Sequence, residues 1–212
     1  TITVVGCTSV ADIDVVLSDP ALPVLALTSS SNPTTCLGTD GSIVLGTTNL
    51  ADGSYTVDYM DATPAAQTAT MVVVGNVGTI SGLSAGTYND IAITITGCTS
   101  VADIDVVLSD PLVPVLALTS SSSPTTCLGT DGSIVLGTTN LADGSYTVDY
   151  MDATPAAQTA TMIVVGNVGT ISGLSAGTYN NITITNAGCT SAQDVDVVLS
   201  DPLVPVLALT SS

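Results

Sequence analysis

The sequence predicts an all-β protein built from tandem domains, and three observations carry that expectation. Residues 31–121 recur as 122–212 with nine substitutions, a period of 91 residues. Within each copy, short runs alternate apolar and polar residues with the period of two that marks a half-buried strand. Gly, Pro, Asn and Asp gather between those runs, and no stretch carries a helical period. A period of 91 residues exceeds the ~20 to 50 residues of solenoid repeats and falls in the range of a domain that closes its own core. The expected boundaries are 1–20 for the C-terminal part of a preceding repeat, 21–111 and 112–202 for two full repeats, and 203–212 for the first strand of a following one.

The strands follow in order along one repeat. Residues 41–45 leave a Thr-Asp-Gly turn with Ile43 and Leu45 on one face. Residues 55–59 alternate Tyr55, Val57 and Tyr59 with polar partners after the turn at 51–54. Next come 70–74, then 78–80, then 91–95, in which every second residue is Ile. In the sixth, 103–108, Ile104, Val106 and Leu108 face inward and the Asp103 and Asp105 side chains point to solvent. Residues 115–119 open the following repeat as a seventh. About seven short strands in roughly 90 residues, separated by turn residues, match an immunoglobulin-like β-sandwich. Tyr88 and Tyr179, just before the Ile-rich strand, fit two structural roles: a tyrosine corner, whose hydroxyl bonds to nearby backbone, or a large core side chain.

Composition removes whole classes of function. There is no Lys, Arg, His, Glu, Phe or Trp, and all 18 acidic residues are Asp, for a formal charge of −18. Without a cation the chain cannot neutralise phosphates, so nucleic acid is not an expected partner. No His is present to activate a Ser or Cys and no Lys to form a Schiff base, which argues against an enzyme. No apolar run reaches the ~18 residues of a membrane span, so no direct insertion is expected. A hydrophobic fraction of 45% with regular spacing indicates a folded core of Val, Ile, Leu and Ala. No signal peptide is seen, which agrees with a window from a longer mature protein.

Cys36-Leu37-Gly38-Thr39-Asp40-Gly41-Ser42-Ile43, Tyr55-Thr56-Val57, Ile80-Ser81-Gly82-Leu83-Ser84-Ala85-Gly86-Thr87-Tyr88, Gly97-Cys98-Thr99 and Leu108-Ser109-Asp110-Pro111 together resemble the SprB-type repeats of giant surface adhesins of gliding Bacteroidota. The likeness covers nearly the whole repeat in both copies. It departs where that family carries a Gly-Gly-x-Pro-Tyr-x-Tyr-x-Trp stretch, here residues 50–59 with no Trp. The resemblance implies a protein on the outer surface of a Gram-negative cell, exported by the type 9 secretion route and arrayed as a filament that contacts substrate or other cells.

The cysteines leave pairing open. Each repeat has two, 62 residues apart, and Cys7 matches the second of them. The spacings fit no zinc pattern. The preferred expectation joins Cys36 with Cys98 and Cys127 with Cys189, each bond closing one domain and contributing roughly 4 kcal/mol on the loop-entropy model. A rival joins Cys7 with Cys36 and Cys98 with Cys127, cross-linking successive repeats. A third reading leaves reduced cysteines buried as small apolar residues. No other cofactor is expected, but Asp103, Asp105 and Asp110 could converge on calcium near a domain junction; the alternative is a solvated acidic surface that keeps apolar domains apart. The two prolines of the 109–115 linker favour an extended, stiff connection.

Seven of the nine substitutions fall between Asp90 and Ile104, including Ile95 to Asn186 and Ala102 to Gln193, so this hairpin is expected to face solvent or a neighbouring repeat. Two functions follow. One is the shaft of an extracellular adhesin, with further copies of the repeat as its partners. The other has the repeats themselves bind a glycan or external surface, or polymerise by strand exchange.

Overall fold

The computed structural model describes residues 3–8, 15–63, 65–101, 103–154, 156–193 and 195–206. All regular structure in it is β. A short hairpin, β1 (Thr3–Val4) and β2 (Cys7–Thr8), comes first. The first repeat then forms β3 (Val24–Ser31), β4 (Gly41–Thr48), β5 (Gly53–Met60), β6 (Ala66–Val74), β7 (Val77–Leu83), β8 (Gly86–Ile95), β9 (Cys98–Thr99) and β10 (Val106–Leu108). The second repeats this series as β11 (Val115–Ser122), β12 (Gly132–Thr139), β13 (Gly144–Met151), β14 (Ala157–Val165), β15 (Val168–Leu174), β16 (Gly177–Asn186), β17 (Cys189–Thr190) and β18 (Val197–Leu199). Among the described residues no helix is long and apolar enough to cross a membrane.

Each repeat folds as an immunoglobulin-like sandwich. In the second, hydrogen bonding runs β11-β12-β15-β14-β13-β16, with β17 and β18 both on β16. The ends of that path come back together: β11 meets β18, and the Ser200 N–H donates to Ser123 Oγ at 3.0 Å. One layer is therefore β11-β12-β15 and the other β13-β16-β18, with long β14 passing between them. β14 can do so because it pairs β13 along residues 157–164 but β15 only along 162–165.

The core explains why the chain closes. Ile134 and Leu136 from β12, Val148 from β13, Met162 and Val164 from β14, Ile171 from β15, Ile182 and Ile184 from β16, and Val197 and Leu199 from β18 form one buried cluster. Alternation within each strand turns these side chains to one face and leaves Thr, Ser and Asp, together with exposed Ile163, Val165 and Val198, on the other. A flat sheet would leave them in water, at a cost of about 1.5–3 kcal/mol for each large aliphatic side chain. The first repeat buries the equivalent Ile43, Leu45, Val57, Met71, Val73, Ile80, Ile91, Ile93, Val106 and Leu108.

Contacts divide the chain into two compact units. The first comprises Thr1–Ser30, Ile43–Ser81 and Gly86–Val107, and the second Ser31–Ser42, Gly82–Ala85 and Leu108–Ser212. The second unit thus holds the Cys36 turn and the 109–115 linker together with the whole second repeat.

Several strands differ from expectation: β6 begins at Ala66, β7 runs on to Leu83, and β9 is additional. The Ile-rich strand starts at Gly86, five residues earlier than position 91, so Tyr88 lies within it. The last strand is only Val106–Leu108, although Ile104 is buried and Asp103 and Asp105 are exposed as expected. Residue 90 is the cause. Asp90 takes φ 54°, a left-handed conformation that breaks the ladder, and its N–H turns to Asp105 Oδ1 at 3.1 Å.

Candidate functional site

The described chain contains one disulfide, between Cys36 and Cys189, with Cα atoms 5.1 Å apart. Neither pairing expected from the sequence is formed. Cys36 bonds neither Cys98 nor Cys7, and Cys7, Cys98 and Cys127 are free thiols. The reason lies in strand length. In the second repeat Cys127 lies near Pro202, at the end where Gly132 packs on Leu174 and Leu199 and where Gly177 begins β16. Cys189 lies beyond Asn186, the other end of that ten-residue strand. Ten residues of strand span roughly 33 Å, far beyond the reach of a disulfide. A bond between Cys127 and Cys189 within the second repeat is therefore geometrically closed.

The bonded pair is built from two local shapes. Cys36 sits in a tight turn: the Gly38 N–H donates to Thr35 O at 2.9 Å, Leu37 takes φ 57°, and the Leu37 N–H donates to Asp110 Oδ1 at 3.1 Å. Cys189 follows the two-residue turn Ala187-Gly188, at φ 48° and 72°, which folds β16 back onto β17. Positive φ at both central residues is the turn whose twist matches a β-hairpin. The two shapes meet edge on. The Cys36 N–H donates to Ala187 O at 2.8 Å; a Cβ on Gly188 would meet Cys36 N only at an ordinary 3.4 Å, so glycine is favoured there by its φ of 72°. The Pro111 carbonyl oxygen lies 3.7 Å from Cys36 Sγ and 3.3 Å from Cys189 Sγ. All of these residues belong to the second compact unit.

This arrangement bears on the hairpin expected to face solvent or a neighbouring repeat. Gln193 is exposed and Asn186 is half-buried, so neither is sealed in the core, while Ala102 lies outside the described residues. Two substitutions in the same stretch do occupy core positions, Thr183 for Ala92 and Val195 for Ile104, and both conserve small-to-medium size.

The aspartates take a different part from the one expected of calcium ligands. Asp105 accepts from the Asp90 N–H and Asp110 from the Leu37 N–H, each at 3.1 Å, and Asp103 is exposed. Among the described residues no three Asp or Cys side chains gather as a metal site. Instead the carboxylates fasten turns. Asp40 accepts from Thr34 N–H and Oγ1, Asp52 from Gly75 N–H at 2.8 Å, and Asp61 from Thr63 N–H at 2.8 Å. Asp131, Asp143, Asp152, Asp196 and Asp201 do the same in the second repeat. Hydrogen bonds to the charged form favour it, and the Thr34 hydroxyl, then the Thr34 N–H, hold the Asp40 carboxyl below its ordinary 3.8. Thr125 acts on Asp131 in the same way.

Tyr179 combines both roles expected of it. It is a buried member of the core, and its hydroxyl donates to Ser175 O at 2.9 Å, four residues upstream. Its ring lies 4.9 Å from that of Tyr150, tilted by 41°, and Tyr59 and Tyr88 form the matching pair at 5.0 Å. Burial raises the Tyr179 phenol above its ordinary 10.0, with Tyr150 adding to the shift, and burial together with Asp152 raises Tyr150. Tyr150, Asp152, Thr154, Ser175, Gly177 and Tyr179 border an open depression of about 370 Å³.

No family model matches this chain, and no curated protein does. Among solved structures it is similar to the two fibronectin type-III domain segment from chicken tenascin, at 14% identity over 82% of this chain and 96% of that one, with a TM-score of 0.30. It is also similar to the FN1–FN3 domains of chicken CNTN1, at 12% identity over 86% of this chain and 68% of that one, with a TM-score of 0.31.

Proposed function

We propose that this chain is a segment of the shaft of an extracellular repeat adhesin, whose repeats supply reach and mechanical strength and perform no catalysis. The observation that carries the reading is the Cys36–Cys189 bond, which joins the first cysteine of one repeat to the second cysteine of the next, 153 positions on. A tension applied at the chain ends passes through that bond and bypasses residues 37–188, so only β1, β2 and β3 on one side and β17 and β18 on the other bear it. A disulfide in such a place suits an oxidising compartment, which supports a position outside the cell. The total lack of Lys, Arg, His and Glu supports a passive role, since Asp alone is a poor set of acid, base and nucleophile. The resemblance to SprB-type repeats supports the outer surface of a Gram-negative cell and type 9 export. Further copies of the repeat are the partners this reading calls for.

Pulling the chain from its ends in a force spectrometer tests it. Oxidised chains should extend only through residues 1–36 and 189–212, by at most roughly 200 Å, because residues 37–188 are shielded. Adding a reductant should release on the order of 500 Å, at ~3.3–3.6 Å per residue over the 153-residue separation. Equal extension in both conditions would remove the mechanical reading.

A further inference from the structure

The open depression of about 370 Å³ on the second repeat joins an aromatic wall to a set of oxygen atoms. Its volume falls within the ~300–1,000 Å³ of small-molecule sites. β13 supplies Tyr150, the turn after it Asp152 and Thr154, and the chain running into β16 supplies Ser175, Gly177 and Tyr179. Tyr179 is buried and Tyr150 only half so, which makes Tyr150 the ring that a ligand meets. Asp152 accepts both the Thr154 N–H and the Thr154 hydroxyl on Oδ1, leaving Oδ2 as an open acceptor. The carboxylate lies near enough to Tyr150 to help raise its phenol. Chemistry then narrows the ligand. An anion finds no cationic side chain in this sequence and is repelled by Asp152. A quaternary ammonium is held in a cage of separated rings, whereas Tyr150 and Tyr179 pack on each other at 4.9 Å and leave no space between them. An apolar ligand would strand the Asp152 carboxylate without a donor. A neutral sugar satisfies every group: its C–H face lies on a tyrosine ring, and its hydroxyls donate to a carboxylate and exchange bonds with Ser and Thr.

We propose that this depression binds a neutral saccharide, with one pyranose ring on Tyr150 and its hydroxyls bonded to Asp152 Oδ2 and Ser175 Oγ. The first repeat carries the same groups. Its Tyr59 and Tyr88 rings pair at 5.0 Å, and Asp61 accepts both the Thr63 N–H and the Thr63 hydroxyl on Oδ1. With one such set in each 91-residue repeat, weak contacts add along a single polysaccharide. Gly177 gives the site its opening. It shares a strand face with Tyr179, two residues on, and a Cβ there would meet nothing within 4 Å.

The inference goes beyond the shaft reading and does not rest on it. Its test titrates the oxidised 212-residue chain, isotope-labelled for amide NMR, with cellohexaose, laminarihexaose, mannohexaose and galactohexaose. Sugar is taken to about 10 mM, enough to fill a site whose Kd is about 1 mM. With at least one sugar, amides at 152–154 and 175–179 should shift saturably, as should those at 61–63 and 84–88, and NaCl should not change the midpoint. Tyr150→Ala should weaken the second-repeat response about ten-fold and leave that of the first repeat, which then serves as the control for folding and for ligand. Gly177→Leu, which fills the opening without touching Tyr150 or Asp152, should do the same. Three results would overturn the proposal: no saturable shift with any of the four sugars, shifts that map elsewhere or survive both variants, or a site that saturates with tetramethylammonium chloride and not with sugar. None of them bears on the shaft reading, which the extension measurement decides by itself.

Discussion

At the scale of single residues, two glycines of the second repeat differ sharply in what they permit. A Cβ on Gly132 would sit 2.7 Å from Leu174 O, 3.1 Å from a Leu199 methyl and 3.2 Å from Pro124 Cδ. The first of these is backbone in a paired strand and cannot swing aside, so Gly132→Ala forces the β12–β15 ladder apart. Gly177 opens β16 with nothing within 4 Å of where its Cβ would lie. The expected outcome in urea unfolding is a loss of about 1–3 kcal/mol for Gly132→Ala and no loss for Gly177→Ala, where a side chain instead lowers the entropy of the unfolded chain. Equal effects would mean that the close approach at Gly132 is relieved by movement of β15. The same residue scale shows why Asp is the only acid used. Its carboxylate is one methylene from the backbone, close enough to fasten an N–H within a turn, as Asp61 and Asp40 do, or one on a neighbouring segment, as Asp52, Asp105 and Asp110 do.

At the scale of elements, the disulfide dominates. If both repeats unfold together, closing a loop of 153 residues contributes about 5 kcal/mol on the loop-entropy model. Cys36→Ser, or reduction of the wild type, should therefore lower the thermal midpoint, whereas Cys98→Ser and Cys127→Ser in monomeric protein should leave it unchanged. Scanning calorimetry with and without reductant decides this, and an unchanged midpoint for Cys36→Ser would show that the bond adds nothing to the fold. Most of the strands were legible, because Ile91, Ile93 and Ile95 or Ile104, Val106 and Leu108 state the period of two openly. The extension of β8 back to Gly86 was not, since Gly86, Asn89 and Asp90 are poor strand formers held there by β5 and β10. Topology was legible enough to put Cys36 and Cys98 at opposite ends of a sandwich, yet local sequence carries no signal for which partner lies beyond those ends. That partner is set by how the Pro111 linker brings Gly188 against Cys36, a tertiary contact between segments far apart in sequence. For calcium, a list of carboxylates does not say that Asp105 and Asp110 are each engaged by a backbone N–H while Asp103 stays exposed.

At the scale of the whole molecule, the charge pattern reverses an ordinary expectation. With 18 Asp and no Lys, Arg or His, every electrostatic interaction between ionised side chains at pH 7 is repulsive. Salt therefore has no side-chain ion pairs to weaken and can only relieve repulsion. The thermal midpoint at pH 7 should rise as NaCl goes from about 0.01 M, where the screening length is ~30 Å, to about 1 M, where it is ~3 Å. Acid acts through two opposing routes. Protonation of the Asp side chains as pH falls toward and through about 3.9 removes repulsion and raises stability. Against this, Asp40 and Asp131 have folded-state values held below 3.8, so the stability they contribute is complete above pH 3.8 and is lost as pH falls through those lower values. The midpoint should thus stay level from pH 7 to about 5, climb as the carboxylates begin to protonate near about 3.9, and drop again in stronger acid. Thr34→Val with Thr125→Val, which removes the hydroxyl donors, should make that acid drop shallower without changing the salt response. Calcium at the same ionic strength should do no more than sodium, because the described carboxylates are spread over separate turns instead of gathered at one ion. A midpoint insensitive to salt, or one raised by millimolar calcium alone, would mean that the repulsion is already neutralised by a bound cation.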